Sequence, residues 1–71
     1  MTELGLFLAK KTVNKAEVSR RTGISTSRLS ELSLKESAHL RVKELYLIAL
    51  AIDVPPSDLL EAVCKNMTLV S

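Results

Sequence analysis

The sequence predicts an all-α fold, a compact five-helix bundle, on the basis of three observations. Apolar residues recur at helical spacing in five successive segments of the chain. The two prolines are adjacent, glycine occurs only twice, and runs rich in β-branched and aromatic residues are missing, so no segment has the pattern of a paired strand. A chain of 71 residues also has the size of one small domain.

Two helices are predicted in the first third of the chain. Helix one covers about residues 3–11, where Leu4, Phe7 and Leu8, followed one turn on by Lys11, fall on one helical stripe. Helix two begins after Asn14, because Asn14 and Glu17 have the spacing of an N-cap and an N3 residue, and the glutamate is expected to reach back to the cap. Helix two extends to about Thr22, and Gly23 then permits a tight turn.

Helix three is predicted to start directly after this turn, with Ser25 as its N-cap. The stretch VSRRTGISTSRLSEL has a small residue where two helices would approach, a glycine in the turn and apolar residues that face inward. This spacing is that of a helix-turn-helix formed by helices two and three. The positions that carry the pattern are Val18, Ser19, Gly23, Ile24, Leu29 and Leu32.

Helix four is predicted over about residues 41–52 and helix five over about residues 57–65, with Pro56 at the first position of helix five. Residues 1–66 are thus expected to form one domain, followed by a short tail at 67–71. The predicted core residues of helix four are Val42, Leu45, Tyr46, Ile48, Ala49 and Ile52, with the Tyr46 hydroxyl at the edge of the core.

The composition argues against several classes of protein. The single Cys64 cannot close an intramolecular disulfide and has no partners at metal-ligand spacing, so no metal or cofactor is expected. An enzyme is the least favoured class, because a chain this short has little room for a cleft and His39 has no nucleophile in a suitable context. No apolar run approaches the roughly 20 residues that span a bilayer, and no leader is visible, so we expect a cytoplasmic protein.

The charges are distributed unevenly along the chain. Residues 10–43 contain nine lysines and arginines but three acidic residues, whereas the rest of the chain contains one lysine and five acidic residues. A basic half of this kind offers one face to a polyanion, and the acidic half leaves another face for protein contacts.

Residues 14–61 resemble the phage repressor and Cro type of helix-turn-helix domain, also called the XRE family. The stretches that carry the resemblance are NKAEVSRRTGIS, SRLSEL and LYLIALAIDVPPSDLL. The resemblance implies a lambda-repressor-like bundle that binds double-stranded operator DNA, usually as a homodimer, with helix three in the major groove. Many members pair an arginine in helix one with a glutamate after helix three. Leu8 and Ser33 occupy those places here, so no buried charge is left unpaired.

The predicted base contacts lie on the side of helix three opposite its buried leucines. Hydroxyl groups can donate or accept there, glutamate can accept from cytosine, and arginine can bind guanine or a phosphate. Because only arginine discriminates strongly, DNA shape and bridging water are expected to carry much of the sequence preference. The predicted base-contacting residues are Thr26, Ser27, Arg28, Ser30 and Glu31; for Glu31, a salt bridge to Arg28 or Lys35 is the alternative.

Five further residues are predicted to contact DNA phosphates, at the amino end of helix two and around the connection between helices three and four. They are Asn14, Lys15, Lys35, Arg41 and Lys43. Such contacts contribute affinity and position rather than sequence information. For Arg20 and Arg21, surface pairing with Glu17 is the alternative to DNA contact.

An exposed apolar surface is predicted on the carboxy-terminal half, formed by Leu47, Leu50, Val63 and Met67 together with Leu69 and Val70. It favours a homodimer, unless the tail KNMTLVS folds back to cover it. The favoured function is a sequence-specific DNA-binding transcriptional regulator, and a repressor is favoured over an activator. Two alternatives stay open: a DNA-binding antitoxin whose carboxy-terminal half binds a toxin, and a helical protein-interaction module that has lost DNA binding.

Overall fold

The computed structural model describes residues 1–65 and 67–70, and this part of the chain contains five α-helices and no strand. The all-α bundle predicted from the sequence is confirmed, and every helix bound that was predicted lies within two residues of the observed one. Positions 66 and 71, the predicted ends of the domain and of the tail, lie outside the described residues. The helices are α1 (Glu3–Lys10), α2 (Lys15–Thr22), α3 (Thr26–Leu34), α4 (Val42–Ala51) and α5 (Pro56–Val63).

Polar side chains cap α2 and α3 as predicted. The Asn14 Oδ1 accepts from the backbone N–H of Ala16 at 2.9 Å, and the Ser25 Oγ accepts from that of Arg28 at 3.1 Å. These bonds satisfy first-turn donors that have no partner within the helix. Glu17 does not reach back to its cap, because its carboxylate instead pairs with an arginine one turn further along α2.

The turn between α2 and α3 is closed by Gly23, whose φ of +80° lies in the left-handed region that disfavours other residues. Its backbone N–H donates to the carbonyl of Ser19 at 2.9 Å, and the hydroxyl of Thr22 accepts from the N–H of Ile24 at 3.1 Å. The chain therefore leaves α2 and enters α3 through a short hydrogen-bonded connection, as the helix-turn-helix pattern predicts.

The core receives at least one side chain from every helix. Its centre is formed by Leu29, Ile48 and Leu59, whose side chains are completely buried. Leu29 and Leu32, the inward-facing leucines of α3, are buried in this core, which leaves the opposite side of α3 outward. The buried apolar residues are Leu4, Leu8, Val18, Leu29, Leu32, Ile48, Ala49 and Leu59.

Two residues predicted to lie in the core of α4 are exposed. Val42 is 85% exposed and Tyr46 is 53% exposed, so both predictions were wrong. The cause is that α4 is apolar on almost every side. Its buried residues are Ile48 and Ala49, and Val42 and Tyr46 lie on the same outer side as Leu50.

The carboxyl end of α3 packs directly against the start of α1. The backbone N–H of Thr2 donates to the carbonyl of Ser33 at 2.9 Å, and the Thr2 Oγ1 donates to the carbonyl of Leu32 at 2.7 Å. Gly5 permits this approach, because a Cβ at that position would overlap the carbonyl oxygen of Ser33. Leu8 and Ser33 are both buried, so the places where related domains pair two charges contain none here.

Candidate DNA-binding surface

The outward side of α3 forms a shallow, open depression. Thr26, Ser27 and Leu34 are exposed in it, and Ser30 and Glu31 are half-buried. Lys35 completes the lining, so four of the six side chains are uncharged and two, Glu31 and Lys35, are charged. Four of the five predicted base contacts therefore line one surface, and only Arg28 does not line the depression.

Arg28 turns instead toward α4 and the connection that precedes it. Its Nε and Nη2 donate to the two carboxylate oxygens of Glu44 at 3.0 and 3.1 Å. Its Nη2 also donates to the backbone carbonyl of His39 at 2.8 Å, and its Nη1 donates to Glu31 at 2.6 Å. The salt bridge offered as the alternative for Glu31 is thus present, and Arg28 is its partner.

The environment of Glu44 favours its charged form. The hydrogen bonds from Arg28 lower the pKa of the Glu44 carboxyl, against an opposing effect of burial, and the backbone N–H of Arg41 adds to the lowering. That N–H lies 2.9 Å from Glu44, so one carboxylate both caps the start of α4 and binds the arginine of α3. In return, Glu44 and then Glu31 raise the pKa of Arg28 above its already high ordinary value.

Basic residues lie at both ends of α3. Asn14 and Lys15 line a depression shared with Leu34, which places the amino end of α2 beside the carboxyl end of α3. Lys35 is the C-cap of α3. At the amino end of α3, Arg28 binds the carbonyl of His39 and so holds the connection to α4 nearby. The exposed Arg41 and Lys43 follow His39 in the chain, at the start of α4. The predicted phosphate contacts therefore form two groups: Asn14, Lys15 and Lys35 at one end, and Arg41 and Lys43 at the other.

The four cationic members of these two groups are unpaired within residues 1–65 and 67–70, where none lies within ion-pair distance of a carboxylate. The two arginines of α2 are engaged in other ways. Arg20 pairs with Glu17, the alternative weighed from the sequence. Arg21 donates to the carbonyl of Ala51 at 2.8 Å and so caps the carboxyl end of α4, a contact that the sequence analysis missed.

The surface predicted for dimer contacts is apolar and mostly exposed. Leu47, Leu50 and Met67 are exposed, but Val63 is half-buried against the core, so its predicted exposure was wrong. In the described part of the tail, residues 67–70 leave Leu47 and Leu50 exposed rather than covering them. A third depression is lined by Val42, Lys43, Tyr46 and Leu47.

Two negative findings apply to residues 1–65 and 67–70. None of their helices has the length and apolar character needed to span a membrane. These residues also contain no group of three or more histidine, cysteine or acidic side chains placed to hold a metal ion.

Two short helices that meet at a left-handed glycine, with the second helix open to solvent between basic ends, define the class of helix-turn-helix DNA-binding domains. The family described as the Cro/C1-type HTH DNA-binding domain matches residues 3–65, and the chain belongs to this family. The match confirms the resemblance inferred from the sequence and extends it to α1. No curated protein and no solved structure matches the chain significantly. The family match identifies the chain as a DNA-binding domain of the kind found in regulators.

Proposed function

We propose that this protein is a transcriptional repressor that binds a specific operator in double-stranded DNA as a homodimer, with α3 in the major groove. One observation carries the proposal: the outward side of α3 is open, and unpaired basic residues lie at both of its ends. An α-helix fits the width of the major groove, and the phosphates that border the groove would then meet these basic groups.

The proposed contacts divide by role. We assign base edges to Thr26, Ser27 and Ser30, because they line the open depression on α3. Glu31 lines it too, and since its Oε1 accepts from Arg28, its other carboxylate oxygen is the one proposed to meet a base. The phosphate contacts are Asn14, Lys15, Lys35, Arg41 and Lys43, the two groups at the ends of α3. These groups supply affinity that does not depend on sequence, and they fix the direction in which α3 enters the groove.

The homodimer is supported by the exposed apolar side of α4. Leu47 and Leu50 lie there beside Tyr46, and a second copy would remove all three side chains from water. Two copies on a symmetric operator would place their α3 helices about 34 Å apart along one face of the duplex. Sedimentation of the protein on its operator tests this proposal. A complex with one protomer per duplex would contradict the homodimer.

The same apolar side supports a second candidate, an antitoxin that binds a toxin through its carboxy-terminal half. That half is acidic, and α4 and the tail expose several large apolar side chains. Expression with the neighbouring genes, followed by purification, tests this candidate. A stoichiometric complex with a small neighbouring protein would favour the antitoxin, and purification of the protein alone would favour the stand-alone repressor.

DNA binding itself is tested by measuring Kd for duplex DNA at several salt concentrations. Because several phosphates are contacted, we expect the affinity to fall steeply as salt rises. Substitution of Lys15, Lys35 or Lys43 by alanine is expected to weaken binding to all sequences alike and to reduce the salt slope by about one each. Lys65→Ala is the matched control, because Lys65 lies beyond α5 and pairs with Glu3. Binding that is insensitive to salt, or equally sensitive to Lys65→Ala, would contradict the proposed surface.

A further inference from the structure

We infer that α3 recognises thymine methyl groups through the uncharged residues of its outward side, while Arg28 positions α3 and does not bind a base. The inference rests on the proposed function, since it concerns the same face of α3. It names the chemical feature of DNA that this face would recognise and assigns a different role to its only arginine. Three properties of the structure carry it: the hydrogen bonds of Arg28, the segments that Arg28 connects, and the composition of the open face.

The donors of Arg28 are almost fully used within the protein. A guanidinium has five N–H donors, and four of them are directed at Glu44, Glu31 and the carbonyl of His39. One N–H of Nη1 remains. Binding of guanine by arginine uses two donors, directed at O6 and N7 of the base. Arg28 could not make this contact without breaking at least one of these hydrogen bonds.

The ion pair between Arg28 and Glu44 connects the elements that would meet DNA. It fixes the first turn of α3 to the first turn of α4, and the bond to His39 adds the connection between them. The two side chains are only 27% and 15% exposed, so the pair is better shielded from water than an ordinary surface pair. Arg28 therefore sets where α3 lies relative to the phosphate contacts Arg41 and Lys43.

The face left for base recognition is uncharged apart from Glu31, which binds Arg28, and Lys35 at the carboxyl end of the helix. Thr26, Ser30 and Leu34 succeed one another at intervals of four residues and so form one line along the helix, with Ser27 beside it. Leu34 is 57% exposed, although it is large and apolar. In the major groove the one apolar group of the bases is the C5-methyl group of thymine, which leucine and the threonine methyl group can contact.

The first experiment tests methyl recognition on an operator selected from random duplexes by the unmodified protein. Each thymine of that operator is replaced in turn by deoxyuridine, which differs from it by one methyl group. We expect one or two replacements to weaken binding by about fourfold, the effect of one methyl group removed from its contact. In the Leu34→Ala variant, replacing one of these thymines by deoxyuridine should no longer weaken binding, because the contact between Leu34 and that methyl group is already absent. Uniform tolerance of deoxyuridine would overturn the inference.

The second experiment tests the role of Arg28 through Glu44→Gln, measured at a temperature where the variant is fully folded. This substitution removes a negative charge near DNA, so electrostatics alone would strengthen binding. A positioning role for Arg28 instead predicts weaker binding, a smaller salt slope and an unchanged base preference in a repeated selection. Arg28→Lys should behave in the same way, because lysine keeps the charge but cannot bind both oxygens of Glu44.

Arg20→Lys is the matched control for Arg28→Lys, since Arg20 forms an exposed ion pair with Glu17 at the same spacing that links Arg28 to Glu31. It should leave affinity and preference unchanged. A loss of guanine preference at one position in Arg28→Lys would show that Arg28 binds a base and would overturn the inference. Failure of the proposed function is a separate result, because the unmodified protein would then show no salt-dependent binding to any duplex.

Discussion

The two ends of α3 are held in place by different kinds of contact. At its amino end, the side chain of Arg28 binds Glu44 across a gap between helices. At its carboxyl end, the backbone of α3 touches α1, where Thr2 binds the carbonyl of Ser33 and Gly5 lies against the same oxygen. One attachment is made by long, partly exposed side chains, and the other by backbone atoms in close contact.

The two attachments are expected to have different roles: one in the stability of the bundle, the other in the orientation of α3. Backbone atoms in close contact leave no room for an added atom, so the attachment to α1 is expected to govern the stability of the bundle. A pair of long, charged side chains can adjust, and its strength depends on the protonation of a carboxyl group. The attachment to α4 is therefore expected to tune how α3 is presented to DNA.

The largest effect is expected from Gly5→Ala. The added Cβ would overlap the carbonyl oxygen of Ser33, and a backbone atom cannot turn aside as a flexible side chain can. We expect the free energy of unfolding, measured by urea denaturation, to fall by about 3 kcal/mol, at the upper end of the usual cost of overpacking. This is a large share of the 5–15 kcal/mol typical of whole domains.

Gly23→Ala is the control for Gly5→Ala. A Cβ on Gly23 would meet nothing within 4 Å, so only its positive φ opposes substitution. The left-handed conformation costs other residues about 1–2 kcal/mol. If the two variants lost equal stability, the contact between α1 and α3 would not be the tighter constraint, and the contrast between the two ends of α3 would fail.

A smaller, pH-dependent effect is expected from Glu44→Gln. Hydrogen bonds from Arg28 lower the pKa of Glu44 below its ordinary value of 4.5 in the folded protein. The carboxylate therefore contributes its full stabilisation above pH 4.5 and loses it as the pH falls through the lower folded-state pKa. Urea denaturation at pH 7 and pH 3 should show the unmodified protein more stable than the variant at pH 7, with a smaller difference at pH 3.

Glu17→Gln provides the comparison for this experiment. The pKa of Glu17 is also lowered, by its hydrogen bond with Arg20, but that pair is exposed to solvent and adds little stability. Its variant should differ little from the unmodified protein at either pH. A stability difference for Glu44→Gln that stayed constant between pH 7 and pH 3 would show that the ion pair with Arg28 does not stabilise the bundle.

The helices, and the N-caps of α2 and α3, could be predicted because the signals are local. Asn14, Ser25 and Pro56 each act within one turn, and Gly23 acts on its own backbone. The covered side of α4 could not be predicted in the same way. Almost every side of that helix is apolar, so periodicity alone did not show that Tyr46 faces outward.

The two attachments of α3 escaped the sequence analysis because they join residues far apart in the chain. Gly5 and Ser33 are both small, which is a weak signal until the helices are seen to touch. Arginine is a residue type that commonly binds bases. Only the position of Glu44 in the structure shows that the N–H donors of Arg28 are already bound within the protein. The outward side of α3 was predictable, since two buried leucines fix the rotation of the helix.

Amide chemical shifts of the protein, recorded with and without the selected operator, test the central claim that α3 is the DNA-binding element. The largest changes are expected at Thr26, Ser27, Ser30 and Leu34, with smaller changes at the amino ends of α2 and α4. Changes concentrated at Leu47 and on α5, with the amides of α3 unaffected, would contradict the claim.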